Sequence, residues 1–200
     1  MMMRVAVLVL GALIAGSNLI LAGFNPYSSD MKAEVARYVD AYHAAPTSNE
    51  TQFQLAVAYA YTGEIRKGWS VLKQVSPSYA TEVVTQNQRL LQQDPNEWRF
   101  AFRLAFGYYF MKQHDEALAQ FERVLVIVPD HVWAMGFIGL IEGERGNVDL
   151  AIQWCHRALS IDHELAGIHF LLAEAYRRKG TYFKALKHLM ISGRLEALGR

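Results

Sequence analysis

The strongest constraint on the fold is an apolar pattern in residues 98–131, where two segments are joined by the polar residues Gln113, His114 and Asp115. The apolar residues that share one helix face are Leu104, Ala105 and Tyr108 in the first segment and Ala117, Phe121 and Val124 in the second. Pro129 closes the second segment. The pattern predicts a pair of helices with small residues, Ala105 and Ala117, at the point of closest approach.

Related patterns recur elsewhere in the chain. Leu55, Ala56 and Tyr59 repeat the first half of the pattern, and Leu172, Ala173 and Tyr176 repeat it again near the end. A fourth copy begins at residue 132, although Glu142 stands where an aromatic residue is expected and His163 where a proline is expected. The sequence therefore predicts units near residues 49–76, 98–131, 132–165 and 166–199.

This pattern resembles the tetratricopeptide repeat (TPR), a helix–turn–helix unit of 34 residues. The resemblance covers residues 49–200 with one interruption, and it implies an all-α fold. It further implies a right-handed superhelical stack of antiparallel helix pairs, an α-solenoid, of the kind that binds protein segments.

The interruption is an extra helix near residues 77–93. Pro46 and Pro95 occupy comparable positions before two units but lie 49 residues apart, which is 15 more than one repeat. Ser76-Pro77 can end one helix and begin the next. Residues 25–48 are predicted to form a linker and a leading helix, which is amphipathic through Met31, Val35 and Tyr38.

Residues 1–24 predict either an uncleaved transmembrane anchor or a cleaved signal peptide. Val5–Phe24 is an uncharged apolar stretch of 20 residues, about the length that spans a bilayer. Arg4 precedes it, which favours an extracytoplasmic position for the rest of the chain. The prediction is a single-pass membrane protein with the repeats outside the cytoplasm. The alternative is a secreted or periplasmic protein after cleavage.

Composition argues against several classes of function. The net charge is +1, whereas nucleic-acid binding needs a basic surface that neutralises phosphates. The single cysteine, Cys155, excludes an intrachain disulfide and any CxxC metal motif. The seven histidines form no HExxH pattern. We therefore expect no catalytic, metal or cofactor site, and the chain is not predicted to be an enzyme.

The resemblance assigns a peptide-binding groove to the inner surface of the stack, which in TPR proteins comes from the first helix of each pair. The corresponding residues are mostly aromatic or apolar: Phe53, Arg99, Phe102, Phe106, Tyr109, Trp133, Leu140, Phe170 and Arg177. We expect an apolar or amphipathic peptide there, with Arg99 and Arg177 at the rim. The alternative is that the aromatic side chains are core, because a stripe at helical spacing is also typical of packing.

The C-terminal residues 177–200 contain seven Lys and Arg residues against Glu196 alone. We interpret them as a solvated cap on the last repeat, which needs a polar outer face. The alternative is contact with anionic lipid or an acidic partner. The predicted function is thus a membrane-tethered, non-catalytic adaptor. The alternative is a structural, self-associating module or assembly factor, a possible homo-oligomer, whose groove is filled internally.

Overall fold

The computed structural model describes residue 25 and residues 28–198. The predicted anchor or signal peptide at residues 1–24 lies outside this range. The described residues form helices and no strands, which confirms the all-α prediction. The helices are α1 Ser29–Ala44, α2 Asn49–Thr62, α3 Ile65–Leu72, α4 Tyr79–Gln93, α5 Trp98–Phe110, α6 His114–Ile127, α7 Val132–Glu144, α8 Val148–Ile161, α9 Ala166–Arg178 and α10 Tyr182–Ala197.

Within the described part of the chain, none of these helices combines the length and the apolar character that crossing a bilayer requires. Several of them begin at side-chain caps. Ser28 Oγ accepts from the Met31 amide at the start of α1, and His131 Nδ1 accepts from the Ala134 amide at the start of α7. Such caps satisfy amides that have no partner within the helix.

The repeat period is visible in the turns between paired helices. Lys112, Gly146 and Gly180 all have left-handed backbone conformations, with φ of 61°, 89° and 78°. They are spaced by 34 residues and end α5, α7 and α9. Each of these helices then packs against the helix that follows it, giving the pairs α5–α6, α7–α8 and α9–α10.

Small residues set the close contacts within the pairs. Ala105 and Ala117 are both fully buried between helices. A Cβ atom added at Gly139 of α7 would lie 3.3 Å from both the Ala151 carbonyl oxygen and Cys155 Sγ of α8. Larger side chains at these positions would force the helices apart.

The extra helix α4 packs against α5, just as α6 packs against α7 and α8 against α9. It therefore takes the place of the second helix of a preceding pair, and the regular stack runs from α4 to α10. The interrupting segment is thus accommodated as a regular helix of the stack.

The first three helices lie across one side of that stack. We call the surface formed by α5, α7 and α9 the inner face. Tyr61 of α2 contacts Phe102 of α5, with ring centroids 5.7 Å apart, and α2 also contacts α7. At the turn after α2, a Cβ atom on Gly63 would lie 2.3 Å from the ring of Trp133 in α7. The N-terminal helices thus pack closely on the inner face.

Candidate functional site

Four residues of the predicted groove are core residues. Phe53, Phe102, Phe106 and Trp133 are each at most 4% exposed. The interpretation of these four as an open groove is therefore wrong. The physical reason for Phe102, Phe106 and Trp133 is that α1, α2 and α3 cover the inner face, so the chain buries its own aromatic stripe. Phe53 belongs to the covering helix α2 itself and packs against Tyr79, with ring centroids 6.2 Å apart.

The core beneath this cover is an aromatic cluster. Phe102 and Phe106 of α5 both contact Phe121 of α6 and Phe137 of α7, with ring centroids between 4.7 and 5.8 Å apart. The edge-to-face geometry of these four contacts is the one that aromatic quadrupoles prefer. The cluster joins two adjacent repeats.

Arg99 does not lie free at a groove rim. Its side chain, which is 28% exposed, donates to Glu34 of α1 at 2.9–3.0 Å and to Glu97 at 3.2 Å. Glu34 is 6% exposed and also accepts a hydrogen bond of 2.7 Å from the Tyr61 hydroxyl. The arginine therefore fastens α1 and α2 to α5.

The two remaining polar members of the predicted groove make local contacts. Tyr109 donates a hydrogen bond of 2.8 Å to Glu144 of α7. Burial and this carboxylate raise the pKa of the Tyr109 hydroxyl. Arg177 is exposed and pairs with Glu174 one turn earlier, a contact that lowers the pKa of Glu174 to about 2. Neither residue reaches the cavity described next.

An apolar cavity of about 290 Å³ remains where α3 crosses α7 and α9. Three predicted groove residues, Trp133, Leu140 and Phe170, line this cavity. Phe170 is 52% exposed and so forms part of its open rim. The structure therefore brings these three together and separates them from the six others.

Charged groups border the cavity on one side only. Arg66 of α3 and Glu196 of α10 form an ion pair of 2.7 Å, and both line the cavity. The Arg66 side chain is 83% exposed, so the pair contributes little stability. The Trp133 indole Nε1 is buried and has no hydrogen-bond acceptor among the described residues.

Several cavity residues are absent from the sequence prediction: Ile65 and Trp69 of α3, Phe137 of α7 and Leu171 of α9. The spacing of Ile65, Trp69 and Leu72 at i, i+4 and i+7 marks an apolar face on α3. The apolar face of α3 was therefore detectable in the sequence, but the surface of α7 and α9 that it faces was not.

The last helix also differs from its prediction. Its outer face is not the polar cap that we expected. It exposes five large apolar residues, which are Tyr182, Phe183, Leu186, Leu189 and Met190. Phe183 is 90% exposed, which is extreme for an aromatic residue on the surface of a helix.

A cluster of histidines joins α8, α9 and α10. His169 and His188 stack with their Nδ1 atoms 2.9 Å apart, and His156 lies against Tyr176, 2.9 Å from its hydroxyl. Burial, and the proximity of His169, His156 and Lys187, lower the pKa of His188 to about 4. In the described residues no group of His, Cys, Asp or Glu side chains is arranged to hold a metal ion.

The single cysteine is 1% exposed at the contact between α7 and α8. Burial raises the pKa of its thiol to about 12. The sulfur therefore packs as an apolar group and lacks the thiolate character that a nucleophile needs.

Helix hairpins stacked with a 34-residue period define a TPR-type protein, and this chain has that all-helical repeat fold. No protein-family model matches the sequence, and no match was found among curated proteins.

Among solved structures the chain is similar to those of MamA, an all-helical TPR-like protein. One crystal structure of MamA is 18% identical with a TM-score of 0.56, covering 85% of this chain and 91% of that one. MamA residues 41–end from Desulfovibrio magneticus RS-1 are 20% identical with a TM-score of 0.52, covering 84% and 87%. At this identity the likeness concerns the fold alone.

Proposed function

We propose that this chain is a non-catalytic interaction scaffold that binds one apolar side chain of a peptide partner in the cavity between α3, α7 and α9. The observation that carries the proposal is the cavity itself, which combines Trp133, Leu140 and Phe170 from the predicted groove with apolar residues of α3. The proposed binding site is thus one cavity for a single side chain, in place of the long groove predicted from the sequence.

The size and lining of the cavity determine what fits. At about 290 Å³ it lies just below the range of roughly 300–1,000 Å³ that is usual for small-molecule pockets. Its lining is mainly aliphatic and aromatic, so it favours a buried apolar anchor over a charged ligand. Interfaces draw most of their binding energy from a few such anchors.

The ion pair between Arg66 and Glu196 offers polar groups beside that anchor. Because an exposed pair of this kind is worth about 0–1 kcal/mol, either side chain can turn to contact a peptide backbone at little cost. The expected partner segment is therefore an apolar side chain flanked by polar groups.

Selection from a displayed peptide library against the immobilised full-length chain tests the proposal. Selected peptides should share an apolar anchor residue. They should bind the Leu140→Glu and Phe170→Glu variants at least about tenfold more weakly than the unchanged chain, since a charge in an apolar pocket is unfavourable. Val126→Glu is the matched control, because Val126 is 81% exposed on α6. Equal binding to all three variants would contradict the proposal.

We also propose that residues 5–24 tether the scaffold to a membrane with the repeats on the extracytoplasmic side. This rests on the uncharged apolar stretch of 20 residues and on Arg4 before it. A reporter that is active only outside the cytoplasm, fused after Arg200, should be active. Mass measurement of the mature chain then distinguishes an anchor from a cleaved signal, and cytoplasmic reporter activity would contradict the proposed topology.

A second candidate function is a structural, self-associating module. The burial of Phe102 and Phe106 beneath the N-terminal helices favours it, because most of the inner face is occupied by the chain itself. Light scattering coupled to size-exclusion chromatography separates the two candidates. Oligomers that survive dilution support the structural module, and a monomer supports the peptide-binding scaffold.

A further inference from the structure

The outer face of α10 is an apolar stripe with no covering helix in the described chain. In the stack, α7 covers α6 and α9 covers α8, whereas α10 contacts α9 alone as a close neighbour. Phe183, Leu186 and Met190 are spaced at i, i+3 and i+7 and therefore share one face. A groove of about 820 Å³ runs along this face, lined by these three residues together with Lys187 and Arg194.

The repeat period shows which of these residues are unusual. Residues one repeat earlier than Leu186 and Leu189 are Ile152 and Cys155, which are also apolar and belong to the core or pack against it. Phe183 and Met190 differ: their counterparts in α8 are Asp149 and His156. Their counterparts in α6 are Asp115 and Glu122.

Asp115, Glu122 and Asp149 are exposed, and His156 is a polar residue that bonds to the Tyr176 hydroxyl of the next repeat. An unfinished stack explains an exposed Leu186 or Leu189, which a further helix would cover. It does not explain why Phe183 and Met190, which are 90% and 68% exposed, are apolar where the earlier repeats have polar residues. These two residues make apolar a surface that is polar in the earlier repeats, and a stripe of this size is typical of an interaction surface.

The charges that α10 itself places beside the stripe are basic, and Glu164, before α9, is the acidic residue among those that line the groove. Lys184, Lys187 and Arg194 are exposed on α10, and they replace Leu150, Gln153 and Ser160 of α8. The helix has one acidic residue, Glu196, which lies away from the stripe and is paired with Arg66. An apolar stripe beside lysines and arginines is the pattern of helices that lie in the interfacial region of a membrane.

A second copy of the chain fits this surface less well. Two copies of the stripe that face each other would each bring Lys187 and Arg194 to the edge of the contact, and like charges oppose that contact. An anionic lipid surface instead complements both the apolar and the basic side chains of the face, since lysines and arginines near it are attracted to the negatively charged headgroups.

We propose that α10 lies on an anionic lipid surface, with Phe183, Leu186 and Met190 inserted below the headgroups and Lys187 and Arg194 contacting them. The last repeat thus docks the scaffold against the membrane. This contact is independent of the cavity, and it does not require residues 5–24 to be an anchor.

Lipid quenching of a fluorophore tests the proposal in the full-length chain. The label is placed at Met190→Cys, and the matched control carries it at Glu122→Cys, the equivalent position two repeats earlier. Cys155 is 1% exposed and does not compete for the label in the folded protein. The probes are vesicles of brominated phosphatidylcholine, with or without about one third phosphatidylglycerol, so that the surface charge of the bilayer is the variable.

Quenching at residue 190 should exceed quenching at residue 122 about threefold on the anionic vesicles. Quenching at residue 190 should fall by about half or more when the vesicles lack phosphatidylglycerol. The same fall is expected in a variant that carries both Lys187→Glu and Arg194→Glu and keeps the helical circular dichroism of the parent chain. Equal quenching at the two positions would overturn the proposal, even if residues 5–24 hold the chain at the vesicle. An emission shift that needs no vesicles and grows with protein concentration would assign the face to a second copy and overturn it as well.

Discussion

Arg99 Nε of α5 lies 3.0 Å from each carboxylate oxygen of Glu34 in α1, which is 65 residues earlier in the chain. The pair is one of the contacts by which the N-terminal helices hold the inner face of the stack. A residue that the sequence placed at the rim of an open groove is thus part of the structure that closes it.

Removing the carboxylate of this pair should destabilise the fold. Glu34→Gln leaves the largely buried guanidinium of Arg99 without its main counter-charge, and breaking a buried pair costs roughly 3–5 kcal/mol. Arg99 is partly solvated, at 28% exposed, so we expect the lower end of that range. Asp40→Asn removes a carboxylate from an exposed position of the same helix and is the control. Urea unfolding that shows equal loss in both variants would contradict the structural role of the pair.

The close approach of α5 and α6 predicts a sharp difference between two alanines on α6. Ala117 is fully buried, so Ala117→Phe should overpack the contact and cost roughly 1–3 kcal/mol. Ala119 is exposed on the same helix, and Ala119→Phe should cost less than about 0.7 kcal/mol, the scale of helix propensity. Thermal unfolding of the two variants measures the difference. Similar midpoints would mean that the repeat frame is misassigned.

Stability should fall in mild acid because of the histidines. His169 Nε2 lies 3.0 Å from the His163 carbonyl oxygen and donates to it. In the neutral ring His169 Nδ1 therefore accepts a hydrogen bond from His188 Nδ1. If both rings were protonated, both Nδ1 atoms would carry hydrogen and two donors would face each other. Burial, and the positive charges that His163, His156 and Lys187 can place nearby, lower the pKa of His169 as well.

The sign of the effect follows from proton linkage. The pKa of free His is about 6.5, whereas that of His188 in the folded chain is about 4, so the unfolded chain binds more protons between these values. The contribution of His188 to the free energy of unfolding should be largest above pH 6.5 and should decline as the pH falls towards 4. His188→Gln should flatten that decline, whereas His43→Gln, at an exposed site on α1, should not. Urea titrations across this range measure both slopes, and identical slopes would exclude the cluster as a cause.

The sequence predicted what depends on local spacing. Ala105, Ala117 and Phe121 are buried as the repeat pattern requires, because the contact within a helix pair is set by residues a few turns apart. The sequence did not predict what covers Phe102 and Phe106. An aromatic stripe has the same spacing whether a partner or the chain itself buries it, and the covering helices come from residues 29–72, on the far side of the interrupting helix.

The α10 surface is different, because its signal was present in the sequence. The residues 34 positions before Phe183 and Met190 are Asp149 and His156, so the change from polar to apolar residues is visible in the sequence alone. The expectation of a polar cap rested on net charge, which counts Lys and Arg without regard to which face they occupy. The position of a residue in the repeat is the better guide to its exposure.

The central claim is that the N-terminal helices pack on the inner face, and a pair of glycines tests it most directly. Gly63 and Gly146 have nearly the same φ, 88° and 89°. Replacing either by alanine therefore imposes a similar backbone strain. Their surroundings differ: a Cβ atom at Gly63 would lie 2.3 Å from the ring of Trp133, whereas one at Gly146 would meet nothing within 4 Å.

The measurement is the free energy of unfolding of Gly63→Ala and Gly146→Ala in urea. If the N-terminal helices pack on α7, Gly63→Ala should lose roughly 1–3 kcal/mol more than Gly146→Ala, because the added methyl group displaces the buried indole. Equal losses would contradict the account, because they would show that Trp133 does not lie against the turn at Gly63.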